Sequence, residues 1–184
     1  EARELLGQHV SVEVDSPVSG DPVRHFDGVV DSFSFTGFRD RFGVYSLVLV
    51  PNFHFLSKTT DNRIFQEKSV VQIIEQIFGE YGFSNYELRL SSTYDPLTYC
   101  VQYNETDLDF VQRLMERVGI FYFFEHAQGS HTMILCDTVD SLSPAPGFEE
   151  IRYEESTTIS LRDIDVITRV HRVDLAVTSD FAHT

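Results

Sequence analysis

The chain has 184 residues with 14 basic and 29 acidic side chains, a formal net charge of −15, which argues against binding a phosphate backbone or an anionic membrane surface, since both need a basic face. Hydrophobic residues at 42% and aromatics at 13%, with 16 Phe and no Trp, mark a globular chain able to build one good core or two small ones. Two cysteines, Cys100 and Cys136, sit in apolar runs, form neither a disulfide framework nor a zinc spacing, and read as reduced core thiols.

From Leu5 to Leu56 the hydrophobic period is two. Val10, Val12 and Val14 alternate with polar residues as a half-buried strand does, and SPVSGDP turns the chain. A second strand, HFDGVVDSFSFTGF, carries Val30, Phe33 and Phe35, with Gly28 and Gly37 as bend or bulge points. RDRFG leads into a third strand, VYSLVLVPNFHFL, in which Pro51 marks an end or an edge. Three long strands on short turns predict an antiparallel meander that curls into a barrel or sandwich.

The period then changes. Val70, Ile73, Ile74, Ile77, Phe78 and Tyr81 recur at helical spacing behind a Ser69/Gln72 capping box, with Gly79 and Gly82 as stops. ELRL and YCVQY read as strands. A second helix is predicted from about Thr106 to Val118, capped by Asn104 or Thr106 and ended by Gly119. IFYFFEH and HTMILCD then form a hairpin across AQGS, SLSPAPGFEE reads as a linker, and the tail returns to alternation. The predicted class is α+β, predominantly antiparallel β. Residues 1–62 with about 150–184 form a β-barrel, 63–140 an inserted small α/β domain, and 141–149 a linker. The longest apolar run, around Val118–Phe124, is far short of the roughly 20 residues that span a bilayer. EARELLGQH has no signal-peptide character, and both ends read as interior to a longer protein.

Three groups of residues invite a chemical reading. Glu105, Asp107 and Asp109 crowd the start of the second helix, but the Gly and the terminal carboxylate of a calcium loop are missing. Side chains two apart on a helix also point about 200° apart. Helix-end electrostatics, with Arg113 and Arg117 at the other end and Asp109–Arg113 as an i,i+4 pair, account for them better. The run Phe121 to Phe124 could line a ligand groove but is rather expected to be a strand covered on both faces or packed against another subunit, with Phe121 and Phe123 on one face and Ile120, Tyr122 and Phe124 on the other. His126 and His131, neighbours across the AQGS turn beside Glu125, are the one candidate metal pair, but an exposed hairpin tip offers no supporting shell. No nucleophile elbow, phosphate-binding loop, His-Glu-x-x-His or dinucleotide fingerprint occurs. No catalytic, cofactor or metal residue is therefore assigned, and the chain is expected not to be an enzyme.

YCVQYNETDLDFVQRLMERVGIFYFFEH closely resembles the signature of the VgrG family, the trimeric spikes of type VI secretion. LLGQHVSVEV, HFDGVVDSFSFTG, YSLVLVPNFHFL and DNRIFQEKSVVQIIEQIF resemble successive blocks of that family's N-terminal region, in order. The resemblance implies a fold like the contractile-phage tail hub and a homotrimer seated on the hexameric Hcp tube. It also implies effectors or a tip protein joined through regions outside this chain, with no cofactor and no catalysis here. Assembly in the bacterial cytoplasm and then translocation through the envelope would follow. A contractile-phage baseplate hub is the nearest alternative; a carbohydrate-active enzyme drawing on the acid excess, or an aromatic binding module, stands further off.

Overall fold

The computed structural model describes residues 4–14, 23–144, 149–153, 166–167, 169–171 and 173. Its first strands are β1 (His9–Val14), β2 (Arg24–Arg39) and β3 (Phe42–Val50), paired antiparallel in the order β1-β2-β3. The meander predicted from the alternation is present. Register shifts between Val30 and Ser32 and between Phe35 and Gly37 mark two bulges in β2, and Gly37 takes φ 134° at the second. Gly28 serves a different purpose from a bend: a Cβ there would lie 3.1 Å from the Leu49 Cβ and 3.2 Å from the Val50 carbonyl, so its absence lets β3 approach.

One expected strand segment is a helix. NFHFL does not prolong β3 but forms a 3₁₀ helix, Asn52–Lys58. Pro51 has no N–H to extend the ladder, and its carbonyl instead accepts from the His54 N–H at 2.9 Å. Phe53 and Phe55 look like strand alternation, yet the pair that enters the core is Phe53 and Leu56, three residues apart. A strand with no counterpart in the sequence reading, β4 (Thr60–Phe65), follows.

The helices stand where the periodicity puts them. α1 is Val70–Glu80, with the Ser69 hydroxyl accepting from the Gln72 N–H and the Gln72 side chain accepting from the Ser69 N–H. After β5 (Tyr86–Arg89) and β6 (Cys100–Thr106) comes α2 (Asp107–Val118), capped by Thr106 rather than Asn104. Gly119 ends α2 at φ 75°, a left-handed conformation that disfavours a Cβ. β7 (Phe121–Ala127) and β8 (Ser130–Cys136) form the expected hairpin.

β4 pairs antiparallel with β6; β5 pairs parallel with β8, giving the order β5-β8-β7. The core gathers α1, α2, the 3₁₀ helix and this second sheet around Phe78, which meets Phe53, Phe83 and Tyr86 edge-on at 4.9–5.9 Å. Tyr122 and Phe124 pack against it from β7, while Phe121 on the other face is 36% exposed. Among the described residues no sheet closes into a barrel, and no helix is long and apolar enough to cross a membrane.

These elements belong to one compact unit, residues 1–15 with 23–143. A second unit comprises 16–22 and 144–184. Its described residues include β9 (Arg152–Tyr153) and β10 (Val166–Ile167), paired parallel. The remainder of the predicted closing strands lies outside the described residues.

Candidate functional site

The three acids of the α2 entrance turn to three different partners. Glu105 receives the Arg113 guanidinium at 2.6 and 3.1 Å, in place of the expected Asp109–Arg113 pair. Asp109 receives the Thr106 hydroxyl at 2.6 Å while its own N–H donates to Thr106 Oγ1, closing the first turn. Asp107 is buried, and its carboxylate accepts from Gln102 Nε2 at 2.7 Å, from the Tyr81 hydroxyl at 2.6 Å and from Arg63. Arg63 also donates to Gln102 Oε1 at 2.9 Å and to Glu80. Burial pushes the Tyr81 phenol up, and its bond to the Asp107 carboxylate pushes it further. This network ties β4, β6 and the end of α1 to the start of α2. Three hydrogen bonds and burial hold this carboxylate in a structural role between the elements it joins.

A second polar cluster joins residues that the sequence keeps far apart. His126 and His131 do face each other across the β7–β8 register, with ring centroids 6.1 Å apart. The hairpin tip, residues 125–129 with His126, is exposed as expected, but His131 is 1% exposed because β2 packs beside it. Glu125 points elsewhere, to Arg89 at 2.8 and 3.2 Å. The missed partner is Asp27 on β2, whose Oδ1 lies 2.7 Å from His131 Nδ1 and 3.3 Å from His9 Nδ1. Ser11 donates to Asp27 Oδ2 at 2.9 Å, the Gly129 N–H donates to Ser11 Oγ at 2.7 Å, and the Asp27 N–H donates to His126 Nδ1 at 3.2 Å. Burial alone would raise the Asp27 carboxyl, but the hydrogen bonds from His131, Ser11 and His9 outweigh it and hold the group below its ordinary range.

Potential ligand atoms of His9, Asp27 and His131 lie within 4.8 Å of one another, a spacing a metal ion could bridge. The hydrogen bonding does not fit one. His131 Nε2 accepts the Asn52 backbone N–H at 3.0 Å, so the ring proton sits on Nδ1, where it is donated to Asp27. Metal ligation at Nδ1 would force a proton onto Nε2, directly against the Asn52 donor. The cluster is a clasp between β1–β2, the 3₁₀ helix and the β7–β8 hairpin.

Other reactive groups are similarly committed. Burial pushes the thiols of Cys100 and Cys136 up, away from the thiolate. The Asp137 carboxylate holds the Ser91 and Ser92 N–H groups at 2.9 and 2.7 Å and is depressed by them. Burial raises the Tyr94 hydroxyl to about 12, assisted by Asp137. A half-open hollow of about 290 Å³ between the 3₁₀ helix and the α1–β5 turn is lined by Asn52, Phe55, Tyr81, Phe83 and Asn85. The chemistry-bearing side chain in it, Tyr81, gives its hydroxyl to Asp107. What the molecule leaves open is apolar surface: along β2 and β3, Phe35, Phe38, Phe42, Val44, Tyr45, Leu47 and Val48 are all exposed.

Known proteins match this chain along its length. Residues 1–184 match the family described as phage tail baseplate hub (GPD). The type VI secretion system spike protein VgrG1b of Pseudomonas aeruginosa is 39% identical over 153 residues, 83% of this chain and 20% of that protein. The actin cross-linking toxin VgrG1 of Vibrio cholerae is 36% identical over 124 residues, 67% of this chain and 11% of that protein. A solved structure, the c3393 protein of E. coli, is described as a component of the type VI secretion system similar to the T4 bacteriophage tail proteins gp27 and gp5. It superposes with a TM-score of 0.68 at 24% identity, over 83% of this chain and 41% of its own, which is a likeness of fold. The chain thus spans about a fifth of the length of VgrG1b.

Proposed function

Because the chain belongs to the phage tail baseplate hub (GPD) family, we propose that it is the N-terminal hub portion of a type VI secretion spike. In this reading it acts mechanically. It assembles as a homotrimer, caps the hexameric Hcp tube, and carries a membrane-puncturing needle contributed by the rest of the protein. Effectors or a tip protein would join through parts of the protein outside these 184 residues. Assembly takes place in the bacterial cytoplasm, and contraction then drives the spike through the envelope into a target cell.

The observation that carries this reading is the match of the whole chain to the hub family together with 39% identity to a named spike protein. A spike is favoured over a contractile-phage hub because the similar proteins described above are spike and VgrG proteins. The site geometry supports a part without catalysis: each acid and histidine that invited a chemical reading bonds to another group of this chain. The activity named in the Vibrio cholerae relative is not carried over, since the shared stretch makes up 11% of that protein.

For architecture, we infer that residues 1–62 and about 150–184 build the barrel, that 63–140 form the inserted α/β domain, and that 141–149 link them. The apolar face of β1–β2–β3, left open, is what a second barrel wall would cover. The decisive experiment is sedimentation of the full-length protein with and without the tube protein of its own secretion system. A trimer that co-sediments with tube hexamers is expected. A monomer at micromolar concentration that ignores the tube would overturn the reading.

A further inference from the structure

An antiparallel strand with one packed and one solvated face alternates apolar and polar residues; β3 does not. In register with β2, Tyr45 and Leu47 share a face with Phe35 and Phe33, and that face continues to Leu49 and the buried Val30. It joins Phe26, Val10 and Val12 across the β1–β2 pairing, and Phe26, Val12, Phe35, Tyr45 and Leu47 on it are exposed. The opposite face carries Ser32, Ser34 and Ser46, as a solvated face should, but also Phe42, Val44 and Val48, exposed at 64%, 41% and 48%. A single covering layer cannot bury both faces.

We propose that this second face, Phe42, Val44 and Val48 flanked by Arg39 and Arg41, seats a second copy of this chain in a head-to-tail contact. The proposal rests on the hub reading above and assigns it a contact surface.

Charge selects the occupant. Residues 32–50 hold one carboxylate, Asp40, and two arginines, in a chain with 29 acidic and 14 basic side chains. Among the described residues Arg39 and Arg41 form no ion pair, and Arg41 lies over the Phe42 ring at 5.1 Å, placing cation and apolar seat together. Two copies at −15 repel wherever acidic surfaces meet. They attract where a charge-poor, slightly basic face meets the acidic remainder of another copy. Such a contact is heterologous, using different patches on the two partners, as a closed ring requires. Three apolar side chains so exposed offer on the order of 300 Å², within the range of the largest apolar patch on a typical monomer, which is often functional. The flanking serines and arginines extend it toward the about 800 Å² that each partner gives in a stable pair.

The test uses the full-length protein with a photo-crosslinking benzoylphenylalanine at Phe42, an exposed position. Irradiation should give adducts of two chain masses. The double substitution Arg39→Glu/Arg41→Glu, which alters only exposed side chains, should cut their yield at least five-fold at low salt, with a smaller loss at high salt. Circular dichroism verifies that the variant stays folded. Adducts within one chain only, adducts with a different protein only, or a yield indifferent to the charge reversal would each overturn the assignment. If the unsubstituted protein sediments as a monomer, the hub reading itself fails. If it sediments as an oligomer while the hairpin never cross-links between chains, this inference alone fails.

Discussion

His131 Nδ1 stands 2.7 Å from Asp27 Oδ1 across 104 residues of sequence, with both side chains fully buried. The pair closes a polar seam between the meander and the β7–β8 hairpin, and the other imidazole nitrogen is held by the Asn52 N–H. Ser11 and His9 complete the hydrogen bonding of the Asp27 carboxylate. The geometry of the pair is that of a clasp.

Removing one side of the clasp should leave the other unsatisfied. Asp27→Ala strands the His131 N–H, the Ser11 hydroxyl and His9, and should cost about 2–4 kcal/mol of unfolding free energy. Asp27→Asn keeps an acceptor oxygen and should cost less. Urea titrations of both variants measure the gap; equal stability of Asp27→Ala and the parent would refute the role.

The same carboxylate makes stability depend on pH. Asp27 is held below its ordinary range in the folded chain despite burial, so the folded state gives up this proton more readily than the unfolded one. Its contribution is fully present above the unfolded value of about 3.9 and is lost as the pH falls through the lower folded value. The urea midpoint of the parent should therefore drop toward that of Asp27→Asn below about pH 4. A difference that stays constant from pH 5 to pH 2.5 contradicts the assignment.

The acids of the α2 entrance should separate by role. Asp107→Ala leaves Arg63, Gln102 and Tyr81 without their shared acceptor and should cost about 3 kcal/mol. Thr106→Ala removes one cap and should cost about 1 kcal/mol. Glu105→Ala breaks a partly exposed pair and should fall within about 1 kcal/mol of the parent. Thermal melts of the three variants test the order, and comparable losses would show that the network is not centred on Asp107.

Phe78 is 0% exposed and meets three aromatic rings. Phe78→Ala should cost about 3–5 kcal/mol through lost burial and the cavity left behind. Phe38→Ala, at a position 76% exposed in this chain, should leave the stability of the isolated 184-residue chain within about 0.5 kcal/mol. Denaturant unfolding of the two variants side by side checks the contrast.

Local pattern made much of this fold legible. α1 and α2 could be read because a capping box, a capping Thr and a left-handed Gly bracket a 3.6-residue period. β7 and β8 could be read from their long apolar runs around a short polar turn. β4 escaped because Asp61, Asn62 and Arg63 interrupt its apolar pattern and Ile64 is exposed. The 3₁₀ helix escaped because Phe53 and Phe55 imitate strand alternation at a site where Pro51 withholds a ladder donor. The Asp27–His131 clasp was out of reach of any window: period and spacing describe neighbours in sequence, and this pair is made by packing. One local hint existed, a carboxylate set within the apolar run of β2 in HFDGVV, where an unpartnered charge is costly.

β2 and β3 form a long antiparallel ladder running from Val29 opposite Val50 to Arg39 opposite Phe42. Such a ladder is mechanically anisotropic. Tension along the strands shears its hydrogen bonds together, so they share the load. Tension across its open end peels them apart one after another at far lower force. If a contracting machine drives this part forward, the hairpin withstands the stroke when its strands lie along the thrust and becomes its weakest seam when they lie across it.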